Sequence, residues 1–294
     1  MKKIIITIPA YNEEKNIGKV IQEIKKSMLK SSHNYQIIVL NDGSKDKTSE
    51  IAKKNGALVY SNPYNLGLAE TFKNEIKKCI ELKADIIIHT DADGQYFAED
   101  IPRLIKEIEN GYDLVLGSRF LTKNKNIPLI NKIGNKAFAK ILSKLLKITL
   151  TDTTTGFRAF TKDIAKNIEF INTFTYTQEQ IIKAVKQNYK IKEIQIKTRK
   201  TRKSKLFKNP MQYAIRAWIN ILRIYRDYEP LKFFGRIGLV LITAGVIVGS
   251  WLIYLFITRG KVGHIPLTIL SMLLIVAGIQ VITFGFLADM KRKT

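Results

Sequence analysis

Two stretches near the C-terminus carry no charged residue: positions 237–257, 21 in number, and positions 265–287, 23 in number. At about 1.5 Å of rise per residue, each is long enough as a helix to cross a hydrocarbon core of about 30 Å. Lipid offers the backbone no hydrogen bonds, so a helix is the form such a run must take there. The intervening 258–264 segment is short and makes the pair a hairpin. Lys232 and Arg236 precede the first run, and Lys291, Arg292 and Lys293 follow the second, against Arg259 and Lys261 in the connection. The positive-inside bias places both outer ends in the cytoplasm.

The remainder of the 294 residues is enough for one soluble domain of ordinary size. Lys and Arg total 49 against 25 Asp and Glu, a formal charge of +24, which favours polyanions: nucleic acid, anionic lipid or phosphorylated substrates. No nucleic-acid motif is present and the basic residues concentrate beside apolar, membrane-like stretches, so nucleic acid is set aside. Cys79 is the single cysteine, which excludes an internal disulfide and a cysteine-rich metal centre. The apolar run at 4–8 is too short for a secretory signal and is stopped by Pro9, so it reads as a buried strand and the soluble part as cytoplasmic.

The first 120 residues alternate strand and helix. Apolar runs at 4–8, 37–40, 57–60, 86–88 and 114–116 are separated by helical patterns, with Ile17, Val20, Ile21, Ile24 and Met28 recurring at helical spacing behind Asn12-Glu13-Glu14. The pattern predicts an α/β fold: a mostly parallel, Rossmann-like sheet with flanking helices, whose ligands sit at the carboxyl ends of the strands. Two further stretches read as basic amphipathic helices at a membrane surface. In 131–148, Lys132, Lys136, Lys140, Lys144 and Lys147 oppose Ile133, Phe138, Ile141, Leu142, Leu145 and Leu146. In 210–228, Met211, Ile215, Trp218, Ile219 and Leu222 run beside Arg216, Arg223 and Arg226.

The chemistry concentrates at strand ends. Asp91-Ala92-Asp93-Gly94-Gln95 follows the 86–88 strand, and two carboxylates two residues apart can converge on one hard cation, Mg²⁺ or Mn²⁺. Such a cation neutralises charge on a departing diphosphate. Pro9-Ala10-Tyr11-Asn12-Glu13 closes the first strand. Asn41-Asp42-Gly43-Ser44 closes the second, and Gly117-Ser118-Arg119-Phe120 closes the run at 114–116. Four polar strand-end motifs in one sheet line a single crevice.

With these motifs the chain resembles family 2 glycosyltransferases of the GT-A fold, and more narrowly the dolichyl- or polyprenyl-phosphate sugar synthases. The resemblance extends through Asp152-Thr153-Thr154-Thr155-Gly156-Phe157-Arg158, Thr175-Tyr176-Thr177-Gln178-Glu179, the 199–206 segment and Tyr228-Glu229-Pro230-Leu231, about residues 1–235. It implies that Pro9, Tyr11, Glu13 and Asp42 cradle the nucleotide-sugar. It implies that Asp91, Asp93 and Gln95 form the catalytic metal and diphosphate site, with Asp93 the direct ligand. Arg119, Arg199, Ser204 and Lys205 are then the groups that hold the acceptor phosphate. Two positions depart from the family pattern: Asn41 stands where a second acidic residue is common, and Arg202 where a glycine is usual. The absence of a Gln-x-x-Arg-Trp sequence argues for a single transfer rather than processive synthesis.

The expected organisation is a cytoplasmic catalytic domain over 1–209, an interfacial amphipathic linker over 210–232, and a two-helix transmembrane hairpin over 233–294. The expected reaction is an inverting transfer of one sugar, from GDP-mannose or from a UDP-hexose or UDP-N-acetylhexosamine, to polyprenyl or dolichyl phosphate. The bilayer is a partner and homo-oligomers are left open. The competing readings are an enzyme of this fold acting on a protein or glycan acceptor, and a non-catalytic membrane adaptor.

Overall fold

A computed structural model describes residues 2–29, 31–121, 129–168, 176–199, 219, 222–223, 225–260 and 265–293. The chain divides into two compact units, Met1–Pro210 and Met211–Thr294.

The first unit is built on a seven-stranded sheet. Its strands are β1 (Lys3–Ala10), β2 (Asn34–Asn41), β3 (Leu58–Ser61), β4 (Ile86–His89), β5 (Leu114–Ser118), β6 (Arg158–Thr161) and β7 (Ile191–Gln195), in the order β3-β2-β1-β4-β6-β5-β7. β1 lies in the interior and is apolar on both faces, with Ile4, Ile5, Ile6 and Ile8 fully buried. It pairs in parallel with β2 and β4. β6 runs antiparallel to both β4 and β5. β6, inserted between β4 and β5, and the edge strand β7 are absent from the sequence expectation; apart from β6 the sheet is parallel as expected.

Helices α1 (Ile17–Met28), α2 (Thr48–Lys54), α3 (Leu68–Glu81) and α4 (Ile101–Glu109) alternate with the strands. Ile17, Val20, Ile21, Ile24 and Met28 of α1 join Leu104, Ile105 and Ile108 of α4 over Ile4, Ile6 and Ile8 in one core cluster. Each buried isoleucine there contributes about 1.5–3 kcal/mol of transfer free energy. These crossovers return every strand from β1 to β5 to the same direction, so their C-terminal ends meet on one rim of the sheet.

The unit continues with α5 (Leu129–Leu146), α6 (Lys162–Asn167) and α7 (Tyr176–Lys186). α5 is the first of the two stretches read as interfacial. It buries Phe138, Ala139 and Leu142 and exposes Lys136, Lys140 and Lys144. Part of its apolar stripe is therefore spent on packing within the protein, because a helix beside a sheet must first cover its own core. The second stretch, 210–228, lies largely outside the described residues.

The second unit contains α8 (Pro230–Arg259) and α9 (Ile265–Lys293), joined as an antiparallel hairpin. Glycines set its spacing. A Cβ on Gly238 would stand 2.5 Å from Ile282 Cγ1 and 2.6 Å from the Gly278 carbonyl, and one on Gly245 would stand 2.9 Å from the Ser271 carbonyl. The Ser271 hydroxyl donates to the Gly245 carbonyl at 2.8 Å. Small residues and a hydroxyl that crosses between helices are how helices pack where water supplies no driving force. Only 17% and 11% of the most apolar windows of the two helices are buried, whereas the core helix of a water-soluble protein would be mostly covered. Leu239, Val240, Ile247, Ile253, Ile257, Met272 and Phe284 instead point outward. The hairpin has the length and surface of a membrane-associated element.

Candidate active site

The loop after β1 is clasped to the loop after β2. The backbone N–H of Asn12 donates to Ser44 Oγ at 2.9 Å, that of Glu13 to Thr48 Oγ1 at 2.8 Å, and that of Lys45 to Asn12 Oδ1 at 2.9 Å. Asn12 has φ +53°, a left-handed conformation that asparagine tolerates better than most residues. The clasp leaves Pro9 buried, Glu13 buried with its Oε2 accepting from Asn16 Nδ2 at 3.0 Å, and the Tyr11 side chain exposed at the rim.

Asp42 is buried and organises a loop that the sequence reading passed over. Its Oδ1 accepts the N–H of Leu66 at 2.8 Å and Asn62 Nδ2 at 2.9 Å, and its Oδ2 accepts the N–H of Gly67 at 3.0 Å. One lone pair of Oδ2 is left for a ligand. Asn41, the departure from the family pattern, bridges the turn to β3: Ser44 N–H donates to its Oδ1 at 3.1 Å and its Nδ2 donates to Ser61 Oγ at 3.1 Å. Gly43 cannot be replaced, because a Cβ there would lie 2.5 Å from the Tyr64 backbone and φ is +68°.

Asp91, Asp93 and Gln95 lie together in the turn after β4, each partly exposed. Asp93 Oδ1 accepts the Gln95 N–H at 2.9 Å, which shapes the turn and leaves the second oxygen uncommitted to it. Burial raises the Asp91 carboxyl from 3.8 to about 6, and the neighbouring Asp93 charge adds to the rise, while His89 and Arg119 pull it back. Burial also raises Asp93. Two crowded carboxylates that resist ionisation are the electrostatic setting that a divalent cation relieves. Among the described residues no three His, Cys, Asp or Glu side chains are grouped to hold a metal by themselves. The donor set suits a cation whose remaining positions are filled by Gln95, water and diphosphate oxygens, as Mg²⁺ and Mn²⁺ prefer.

The Thr155–Arg158 segment packs against Asp91. A Cβ on Gly156 would stand 2.7 Å from Asp91 Oδ1. The Gly156 N–H donates to the Tyr96 hydroxyl at 3.2 Å, and the Tyr96 ring stacks on Phe157 at 5.1 Å. Gly156→Ala is therefore expected to displace the Asp91 carboxylate and weaken Mn²⁺-dependent nucleotide binding at least about tenfold, the order of one overpacking penalty. Titration calorimetry checks this, and unchanged affinity would show that the carboxylate has room to spare.

Arg119, immediately after β5, is close enough to Asp91 for their charges to interact. Its Nε donates to Asp152 Oδ2 at 2.6 Å, and its Nη2 donates to Asp152 Oδ1 at 2.9 Å and to Thr154 Oγ1 at 2.8 Å. Burial opposes the guanidinium charge, but Asp152 more than restores it, so Arg119 is held protonated. Nη1 has no protein acceptor among the described residues and is the edge available to an anion.

Arg199, expected at the acceptor phosphate, has partners within the protein. Its guanidinium spans the Glu23 carboxylate at 3.0 and 3.1 Å, donates to the Gly94 carbonyl at 3.0 Å and lies over the Phe97 ring at 4.1 Å. Its N–H donates to the Gln95 carbonyl at 2.9 Å. Arg199 thus buckles the Asp91–Gln95 turn to α1. Ser204 and Lys205 lie outside the described residues.

Beneath the rim is a buried polar layer that sequence reasoning missed. His89 Nδ1 meets Glu75 Oε2 at 2.7 Å and its Nε2 meets the Tyr176 hydroxyl at 3.3 Å. Arg158, fully buried, donates to the Thr155 and Thr177 carbonyls and to Gln180 Oε1. A glutamate on the apolar Phe72-Ile76-Cys79 side of α3 was the available signal for this layer.

Comparison with known proteins places the chain in a family. The model of glycosyl transferase family 2 matches residues 5–169, more than half of the chain, and that of the GtrB C-terminal hairpin matches residues 229–290. A dolichyl-phosphate hexose transferase of Haloferax volcanii is 32% identical over 66% of this chain and 81% of that protein. A UDP-N-acetylglucosamine–dolichyl-phosphate N-acetylglucosaminyltransferase of Methanococcus voltae is 35% identical over 67% of this chain and 86% of that protein. In fold, the chain is similar to glucosyl-3-phosphoglycerate synthase of Mycobacterium tuberculosis, solved with Mn²⁺, UDP-glucose and glycerol 3-phosphate. The TM-score is 0.61 at 19% identity, over 76% of this chain and 79% of the other.

Proposed function

The chain belongs to glycosyl transferase family 2, and on that premise we propose that it moves one sugar from a nucleoside diphosphate sugar to the phosphate of a polyprenyl or dolichyl lipid, with inversion, at the cytoplasmic face of the membrane. The observation that carries the reading is the Asp91–Asp93 pair confronted by the Asp152-clamped Arg119 on one rim of the sheet, in a chain that also carries the apolar hairpin. The named relatives act at dolichyl phosphate, which supports the same class of acceptor here.

Tyr11, Glu13 and Asp42 cradle the nucleotide from the clasped loops, with Pro9 fixing the exit of β1. Asp91, Asp93 and Gln95 hold Mg²⁺ or Mn²⁺ against the donor diphosphate; when bound, the ion supplies charge neutralisation to the leaving group. Arg119 presents Nη1 to the acceptor phosphate and orients one oxygen toward the anomeric carbon, opposite the departing diphosphate. A phosphate oxygen is already ionised near neutral pH, so no side chain needs to remove a proton. Asp152 is then a charge partner for Arg119 rather than a base. Catalysis comes from alignment and from preorganised charge. The catalytic part spans 1–209 and the linker 210–232. The hairpin of 233–294 crosses the membrane twice, with both termini cytoplasmic.

The test is a panel of GDP- and UDP-sugars incubated with polyprenyl phosphate and Mg²⁺ or Mn²⁺, scored by the mass of the lipid product. A single-hexose or single-N-acetylhexosamine adduct on the lipid phosphate is expected. Sugar appearing on protein or soluble glycan instead would overturn the reading.

Asp91 gives a second expectation. Its folded value of about 6 exceeds the ordinary 3.8, so the folded chain binds this proton more tightly than the unfolded chain. Its contribution to stability is complete below pH 4 and is lost as pH rises through about 6, by at most about 3 kcal/mol. In chelator, Asp91→Asn should therefore melt higher than the parent at pH 7.5 and alongside it near pH 4. A melting difference that does not change with pH would contradict this.

A further inference from the structure

We infer that Glu193, on the edge strand β7, is a positioning residue that sets Arg119 for the acceptor phosphate; the inference rests on the role proposed above for Arg119. Glu193 stands opposite Leu116 of β5 in the parallel register. Its Oε1 accepts the N–H groups of Thr151 and Asp152, each at 2.9 Å. Its Oε2 accepts the Thr151 N–H at 2.9 Å and the Thr151 hydroxyl at 2.7 Å. One carboxylate thus fixes two consecutive peptide groups and a hydroxyl.

The consequences run directly to Arg119. With its proton given to Glu193, the Thr151 hydroxyl accepts from Ser118 Oγ at 2.5 Å, and Ser118 Oγ in turn accepts the Phe120 N–H at 3.2 Å. The residues on either side of Arg119 are thereby tied to the 151–152 turn. Asp152, whose backbone Glu193 holds, then grips the guanidinium through both oxygens and accepts the Arg119 N–H at 3.1 Å. Arg119 needs such a frame. A guanidinium offers a planar fork whose value to a phosphate depends on its orientation, and a frame within about 0.5 Å is what sites of this kind require. Three donors converge on Glu193, and the Thr151 and Asp152 N–H groups have no other acceptor among the described residues.

Alanine at 193 strands two N–H groups and a hydroxyl, whereas glutamine keeps an oxygen for the N–H pair and can donate to Thr151 Oγ1. The experiment is a double-mutant cycle of Glu193→Ala and Arg119→Gln in the full-length chain. The readouts are KM for polyprenyl phosphate, kcat, and the affinity for nucleoside diphosphate with Mn²⁺. Glu193→Ala is expected to raise the acceptor KM about tenfold with nucleotide affinity within about twofold, and Glu193→Gln to restore most of the loss. In the Arg119→Gln background Glu193→Ala should add nothing, since two residues acting through one contact are not additive. Full additivity, an unchanged KM, or an equal loss of nucleotide binding would each overturn the inference. If Arg119→Gln alone leaves the acceptor KM unchanged, the proposed role of Arg119 fails instead.

Discussion

Replacing Asp93 by alanine should lower sugar transfer by about 1,000-fold, the loss of roughly 4 kcal/mol of transition-state stabilisation. Two effects combine in that number. The substitution removes the carboxylate oxygen left free to meet the cation, and it removes the acceptor for the Gln95 N–H that shapes the turn. Asp93→Asn separates them. An asparagine keeps an oxygen for the Gln95 N–H but not the charge, so it should preserve the turn and still lose most of the rate. Initial rates with labelled donor and lipid phosphate, at saturating Mn²⁺, provide the check. Near-parental turnover in Asp93→Asn would assign Asp93 to turn geometry alone.

Ending the chain at Glu229 should cost about a hundredfold or more in transfer to a long-chain polyprenyl phosphate, while nucleotide affinity changes by less than about twofold. The hairpin exposes a nearly continuous apolar surface and buries little of it, so its stability depends on lipid. Its contribution to the reaction is then concentration: it keeps enzyme and acceptor in the same two-dimensional phase, a gain that needs no contact with the reacting atoms. The nucleotide loops and the carboxylate pair all belong to Met1–Pro210 and do not need the hairpin for their hydrogen bonds. A water-soluble short-chain phosphate should accordingly remain a substrate of the shortened chain. Equal loss of donor binding and lipid transfer in a folded protein would refute this division.

The parts of the fold legible in the sequence are those specified by local pattern. β1, β2, β4 and β5 each contain a short apolar run that is buried and is followed by its polar motif. α8 and α9 follow from the absence of charge. β6 and β7 were not legible for opposite reasons. β6 is four residues long and opens on Arg158, whose charge disguises a fully buried position. β7 reads Ile191-Lys192-Glu193-Ile194-Gln195, short and mostly polar as an edge strand can be, and the same pattern suits a surface loop.

In the site, the carboxylate pair was legible because both members lie in one turn. The relations that hold it were not. Arg119 and Asp152 are 33 residues apart, Glu193 and Asp152 are 41 apart, and Arg199 and Glu23 are 176 apart. Those distances close only through the order of strands in the sheet, and β6 and β7 are the strands that bring them together. Arg199 illustrates the consequence. A basic residue in a basic segment reads as a phosphate ligand, and the carboxylate from α1 that stands beside it cannot be read from the sequence.

The most direct measurement is the binding of Mn²⁺, followed by electron paramagnetic resonance, to the full-length chain with and without GDP or UDP. One tightly bound ion per chain is expected only when the nucleoside diphosphate is present, and it should be lost in both Asp91→Asn and Asp93→Asn. Mn²⁺ retained with parental affinity by both variants would contradict the assignment of the carboxylate pair.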